Sequence, residues 1–114
     1  MKGIGFIGKM VFALLMILFG VNHFLSASTY VPLVPNYLPV KEVFVYLTGV
    51  AFIAAGVALI INKKAQIAMV MLGLMLTLFA VLVWLPKGDS SMGMFLKDIA
   101  LAASAWFIAS EVSD

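Results

Sequence analysis

The sequence predicts an all-α integral membrane protein, a bundle of four transmembrane helices with the N- and C-termini on the same side. The first observation is composition: 65% of the 114 residues are hydrophobic and 11% are charged. Soluble domains carry about 25% charged residues, so this chain has too little charge to cover a water-facing surface. The second observation is the spacing of the charges, which leaves four apolar stretches. The length indicates a single domain over residues 1–114.

Composition also excludes several classes of protein and site. Disorder, a coiled coil and a nucleic-acid partner do not fit an apolar chain with a net charge of +2. The absence of cysteine excludes disulfides, thiolate metal sites and iron–sulfur clusters. The single histidine, His23, has no companion ligands at metal-binding spacing, so no metal is expected. We expect no covalent cofactor, and a quinone or lipid as the candidate bound molecule.

The charge-free stretches set the limits of the helices. A helix needs about 20 apolar residues to cross the hydrocarbon of a bilayer. The predicted helices cover residues 4–25, 41–61, 65–85 and 92–111. The first helix ends before a connection with three prolines, Pro32, Pro35 and Pro39, which are costly inside a helix.

The fourth predicted helix carries charge into the membrane. Its uncharged stretch, Ile99–Ser110, rises only about 18 Å, so the helix must extend back through Lys97 and Asp98. Adjacent residues on a helix do not face each other. We therefore expect Asp98 to point inward, on the face it shares with three alanines, and Lys97 to point toward the headgroups. His23 or Lys41 could pair with Asp98.

Lysine placement predicts the orientation. In a four-helix topology the compact loop Asn62-Lys63-Lys64 lies on the same side as both termini. Short lysine-rich loops are usually cytoplasmic, so we expect a multi-pass protein with cytoplasmic termini. The first apolar stretch also fits a cleaved signal peptide loosely, but we expect a true span.

Uncommon polar residues converge on the other, extracytoplasmic end of the bundle. The candidate ligand-binding residues are Asn22, His23, Tyr37, Glu42, Trp84, Lys97 and Asp98. Each has a plainer alternative: His23 as an interfacial anchor and Glu42 as a charge at a helix N-terminus, for example. The connection 27–40 is either an interfacial segment anchored by tyrosines or a lid over this end.

Three segments resemble the DoxX family of small bacterial membrane proteins. They are FGVNHF at residues 19–24, VPNYLP at 34–39 and YLTGV at 46–50. The resemblance implies a four-helix domain in the bacterial inner (plasma) membrane. It also implies partnership with membrane oxidoreductases, or a role as an assembly factor. Phe52 departs from the family, in which many members carry a carboxylate near this position.

We therefore expect an accessory subunit that binds a quinone-like or other lipophilic ligand and supports membrane redox chemistry. Its expected partners are membrane lipid and either a partner protein or a second copy of the chain. The alternative is a non-catalytic interaction, assembly or chaperone-type subunit that uses the small-residue faces of the second and fourth helices. No nucleophile and base can be paired, so no catalytic residue is assigned and enzymatic activity stays open.

Overall fold

The computed structural model describes residues 2–34 and 40–112, and this part of the chain is all-helical, without a strand. The all-α prediction is therefore confirmed. In chain order the α-helices are α1 (Lys2–Leu25), the single turn α2 (Ala27–Tyr30), α3 (Lys41–Ile61), α4 (Ala65–Phe79) and α5 (Met92–Glu111).

The helix ends follow from local backbone chemistry. After α2, the segment Val31–Leu33 forms a 3₁₀ turn with Pro32 in its first positions. This is where a proline is tolerated, because its missing N–H would have no helical partner. At the other end of the molecule, α3 ends at Asn62 in the left-handed conformation (φ 57°), with the Asn62 N–H bonded to the Ala58 carbonyl. Asparagine is one of the few residues that adopt this conformation readily.

Helices α4 and α5 belong to one helical stretch that folds back on itself. Between them lie a π-helical turn, Ala80–Trp84, and a 3₁₀ segment, Leu85–Ser91. The whole stretch has 47 residues and would be about 70 Å long if straight. The longest dimension of the molecule is 43 Å. The reversal occurs at Gly88, whose backbone (φ 79°, ψ −155°) is not helical and suits only glycine.

The first two long helices, α1 and α3, pack antiparallel and very closely. A Cβ atom at Gly20 would lie 2.5 Å from the Gly49 carbonyl oxygen, and one at Gly56 would lie 2.6 Å from the Ala13 carbonyl oxygen. Glycine at these crossings therefore lets the two backbones touch, as small residues do between membrane helices.

Helices α4 and α5 form the second antiparallel pair. The Trp106 indole N–H donates to the Val70 carbonyl at 3.1 Å. Gln66 Nε2, in the first turn of α4, donates to the Ala109 carbonyl at 3.0 Å. Gln66 thus satisfies a carbonyl at the end of α5 that has no partner within its own helix.

The inward face of α5 is the one that the sequence predicts. Its buried residues are Asp98, Ala102, Ala105 and Ala109, which confirms the inward position of Asp98. The same face is one of the two small-residue surfaces that the interaction-subunit alternative would use. The alanine face of the fourth long helix lies inside the bundle and is not free to contact another chain.

The outside of the molecule is apolar. All four long helices contribute small or apolar residues to one core, yet many large aliphatic and aromatic side chains remain exposed along them. Soluble monomers rarely expose so much apolar surface. Within the described residues, three helical stretches are long and apolar enough to cross a membrane: Gly3–Leu25, Lys41–Ile61 and Ala65–Glu111.

Candidate functional site

A cavity of about 420 Å³ lies between the two helix pairs at one end of the bundle. Pockets of roughly 300–1,000 Å³ hold small organic ligands in other proteins. The antiparallel packing brings the end of α1, the start of α3, the end of α4 and the start of α5 to this cavity. The wall is mostly apolar, and its polar or amphipathic members are His23, Tyr30, Thr48, Trp84, Lys97 and Asp98.

His23 is held in the wall by a hydrogen bond at the edge of its ring and by stacking on its face. Its Nδ1 lies 2.7 Å from the Phe19 carbonyl oxygen, one turn back on α1. A carbonyl only accepts, so Nδ1 carries the proton and Nε2 of the neutral ring is an acceptor. The ring stacks on Tyr30, with centroids 4.1 Å apart and planes inclined by 9°.

Asp98 brings a carboxylate into this apolar wall. It is 5% exposed and is the one buried charged residue of the described chain. Lys97 Nζ lies 3.6 Å from Asp98 Oδ1, and the Trp84 side chain lines the same cavity. We expected Lys97 to point away. Its flexible side chain instead turns back while 46% of it stays exposed, so the charge of Asp98 is balanced by its neighbour.

Trp84 lines the cavity from the end of a π-helical turn. Residues Ala80–Trp84 form a π-helical turn, and Leu82, Val83 and Trp84 all line the cavity in succession. A regular α-helix turns consecutive residues about 100° apart, so three neighbours would not normally share one wall. Turns of this kind are frequent at functional sites. Nothing in the local sequence predicts this one.

The segment after α1 closes part of the cavity. Tyr30, Leu33 and Val34 line it, and the Tyr30 hydroxyl accepts a hydrogen bond from Asn22 Nδ2. Of the two alternatives for this connection, these contacts favour the lid for its described part. Residues 35–39, which include the candidate Tyr37, lie outside the described residues.

The structure separates the predicted site residues into groups. His23, Trp84, Lys97 and Asp98 line the same cavity. Asn22 is exposed and touches the site through Tyr30. Glu42 is exposed in the first turn of α3 and is not part of the lining, so its position matches the helix-dipole alternative. Within the described ranges, no group of three or more His, Asp or Glu side chains could hold a metal ion.

Aromatic residues of the wall are what the sequence reasoning missed. Phe52 is 4% exposed, and its ring lies 5.3 Å from that of His23 and 5.9 Å from that of Phe19. The two phenyl rings therefore form an apolar surface beside the His23 imidazole. The sequence signal was the heptad spacing between Val45 and Phe52 on the buried face of α3, which is equally typical of ordinary core residues.

A second cavity lies toward the opposite end, between α3 and α4. Its volume is about 440 Å³, and its wall is almost entirely alanine, methionine and aliphatic side chains, with Lys64 at the loop. It lacks the buried polar groups that would orient a bound molecule. The first cavity is therefore the better candidate for a specific site.

The chain matches one family model, that of a domain of unknown function, DUF8561, over residues 12–87. This range includes all three segments that resemble the DoxX family, so that assignment is wrong and the redox partnership it implied loses its basis. The match covers most of α1, then α3, α4 and the π-helical turn, and it ends before α5. No curated protein matches the chain, and no solved structure does.

Proposed function

The chain belongs to the DUF8561 family, and we propose that it is a four-span membrane protein that binds a lipophilic molecule with a polar head. One observation carries the proposal. An apolar cavity of about 420 Å³ has a buried carboxylate and a fixed imidazole in its wall. Burying a carboxylate costs free energy unless it is compensated. The other buried residues of this helix face are alanines, so a small apolar residue at position 98 would satisfy the packing as well as an aspartate does.

Four spans are supported by the reversal at Gly88. The helix that starts at Ala65 is interrupted there, and α5 alone has 20 residues. That length rises about 30 Å, enough to cross the hydrocarbon. A single span over the 47 residues would leave most of one helix outside the membrane. The lysine-rich loop at residues 62–64 supports cytoplasmic termini, which would put the cavity on the extracytoplasmic side.

The redox role is not part of this proposal, because it depended on the DoxX resemblance. A quinone is one member of the ligand class, together with other lipids that have a small polar head. The alternative function, an interaction subunit, has lost the α5 alanine face as a binding surface. It would be favoured if a protein, and no small lipophilic molecule, co-isolates with the chain.

The test uses Trp84 as a reporter in the cavity. The only other tryptophan, Trp106, lies near the end of α5 that is away from the cavity. The experiment therefore uses the Trp106→Phe variant, in which Trp84 is the single tryptophan. A bromine-bearing single-chain lipid should quench Trp84 on binding to the protein in nanodiscs. Thr48→Phe places a ring in the cavity wall and should weaken binding by about tenfold or more, which corresponds to about 1.4 kcal/mol.

Thr77→Phe is the matched control. Both threonines bond back to a carbonyl four residues earlier, Thr48 to Phe44 and Thr77 to Gly73, but only Thr48 lines the cavity. Thr77→Phe should bind like the parent protein. Equal quenching of Trp84 in both variants would mean that the lipid reaches Trp84 from the bilayer, and the proposed cavity site would be rejected.

A further inference from the structure

We infer that the ligand's head is a neutral hydroxyl group, as in a lipid alcohol or a hydroquinone, and not a carboxylate, a phosphate or an ester. This inference rests on the proposed function, since it names the class of molecule that the same cavity takes. It follows from the two acceptors of the wall, His23 Nε2 and the Asp98 carboxylate. A hydroxyl can donate to one of them while its own oxygen accepts from Tyr30 or Lys97, whereas an ester or an anion can only accept.

The first acceptor is His23 Nε2. Because Nδ1 donates to the Phe19 carbonyl, Nε2 of the neutral ring can only accept. It makes no hydrogen bond within the described part of the chain. No side-chain nitrogen or oxygen there is both buried and unpaired, so Nε2 is still accessible. A hydroxyl can donate to it, whereas an ester or a carboxylate cannot.

The second acceptor is the carboxylate of Asp98. Its Oδ1 contacts the Lys97 ammonium at 3.6 Å, and a carboxylate can accept about four hydrogen bonds. It therefore has capacity for a further donor. The wall thus has two acceptors, in residues of α1 and α5 that line the cavity.

Charge argues against an anionic head. Lys97 is the lysine in the cavity wall, and its charge is already balanced by Asp98. A ligand carboxylate or phosphate would have to enter a low-dielectric site beside the buried carboxylate of Asp98. Two negative charges in contact in such a site repel strongly. A neutral donor avoids this repulsion.

The experiment compares three bromine-bearing undecyl probes that differ only in the head: the alcohol, the carboxylate at neutral pH and the methyl ester. Binding is read from Trp84 in the Trp106→Phe protein in nanodiscs. Trp84→Phe, which keeps Trp106, reports how much of each probe is dissolved in the bilayer. After this correction the alcohol should bind about tenfold more tightly than the ester, because the bound ester would bury the two acceptors without giving them a donor. The carboxylate should bind the weakest.

Two variants separate a hydroxyl site from a general apolar one. Asp98→Asn removes the charge and should raise carboxylate binding relative to alcohol. Asp89→Asn, which removes an exposed carboxylate at the same end of the bundle, should leave the order of the three probes unchanged.

If the three probes bind equally and Thr48→Phe still weakens all of them, the cavity binds lipid without discriminating between head groups, and this inference fails while the proposed function stands. If the carboxylate binds as tightly as the alcohol, the inference also fails. If no probe binds in a Thr48-dependent way, the proposed function fails with it.

Discussion

Asp98 and Lys97 show how a residue pair can be charged inside an apolar protein. The carboxylate is buried, and the ammonium that balances it stays 46% exposed. Such an arrangement keeps one charge in the wall of the cavity while the other can still be solvated. The sequence predicts the inward carboxylate from its alanine-lined face. It does not predict the pairing of Lys97 with Asp98. The angle of about 100° between consecutive residues of a helix fixes where their side chains leave the backbone, but a long lysine side chain can bend back.

The pair leads to a stability prediction. Lys97→Gln leaves Asp98 buried without its cation and should lower the free energy of unfolding by about 1 kcal/mol, a value reduced for the partial exposure of Lys97. Lys87→Gln, an exposed lysine at the same end, should change it by less than about 0.5 kcal/mol. Denaturant titration in detergent, followed by circular dichroism, measures both. Equal losses in the two variants would show that Asp98 does not depend on Lys97.

At the scale of elements, glycine determines how α1 and α3 pack. Gly20→Ala would place a Cβ within 2.5 Å of both the Gly49 carbonyl oxygen and Ile53 Cγ1. The helices would have to separate, so we expect a loss of about 1–3 kcal/mol in stability. Gly8→Ala is the control in the same helix, since a Cβ there meets nothing within 4 Å. It should be neutral or slightly stabilising, because alanine favours helix more than glycine does.

Thermal unfolding of both variants in the same detergent tests this prediction. A melting temperature for Gly20→Ala equal to that of Gly8→Ala would show that α1 is not held at the observed distance from α3.

Element bounds are the part of the fold that the sequence specifies best. The predicted second helix, 41–61, coincides with α3, and the predicted fourth, 92–111, coincides with α5. A proline at residue 39 and the lysines at 63 and 64 mark the limits of α3, whereas the start of α5 was predicted from the length that a span requires. The predicted third helix, 65–85, is α-helical only to Phe79 and continues as the π-helical turn. The residues of that turn contact both α4 and α5, and no local pattern in the sequence predicts it.

For the whole molecule, composition predicts the class of protein but not its family. The DoxX resemblance depended on glycines, prolines and aromatic residues near helix ends. Membrane proteins of different families share these features, because close helix packing and the interface require the same residue types. The cavity also belongs to this scale, since it needs all four long helices and the segment at residues 30–34. The polar residues that converge on it could be placed at one end from sequence, whereas their partners could not.

The number of spans is tested on the whole chain, which contains no cysteine. Single cysteines at Lys64, Ser90 and Glu111, all exposed, are labelled in intact and in permeabilised cells with a membrane-impermeant maleimide. Four spans with cytoplasmic termini require labelling at Ser90 in intact cells, and labelling at Lys64 and Glu111 only after permeabilisation. If residues 65–111 crossed the membrane once, Glu111 would be labelled from the side opposite Lys64. Labelling of Lys64 and Glu111, but not Ser90, in intact cells would keep the four spans and move the cavity to the cytoplasmic side.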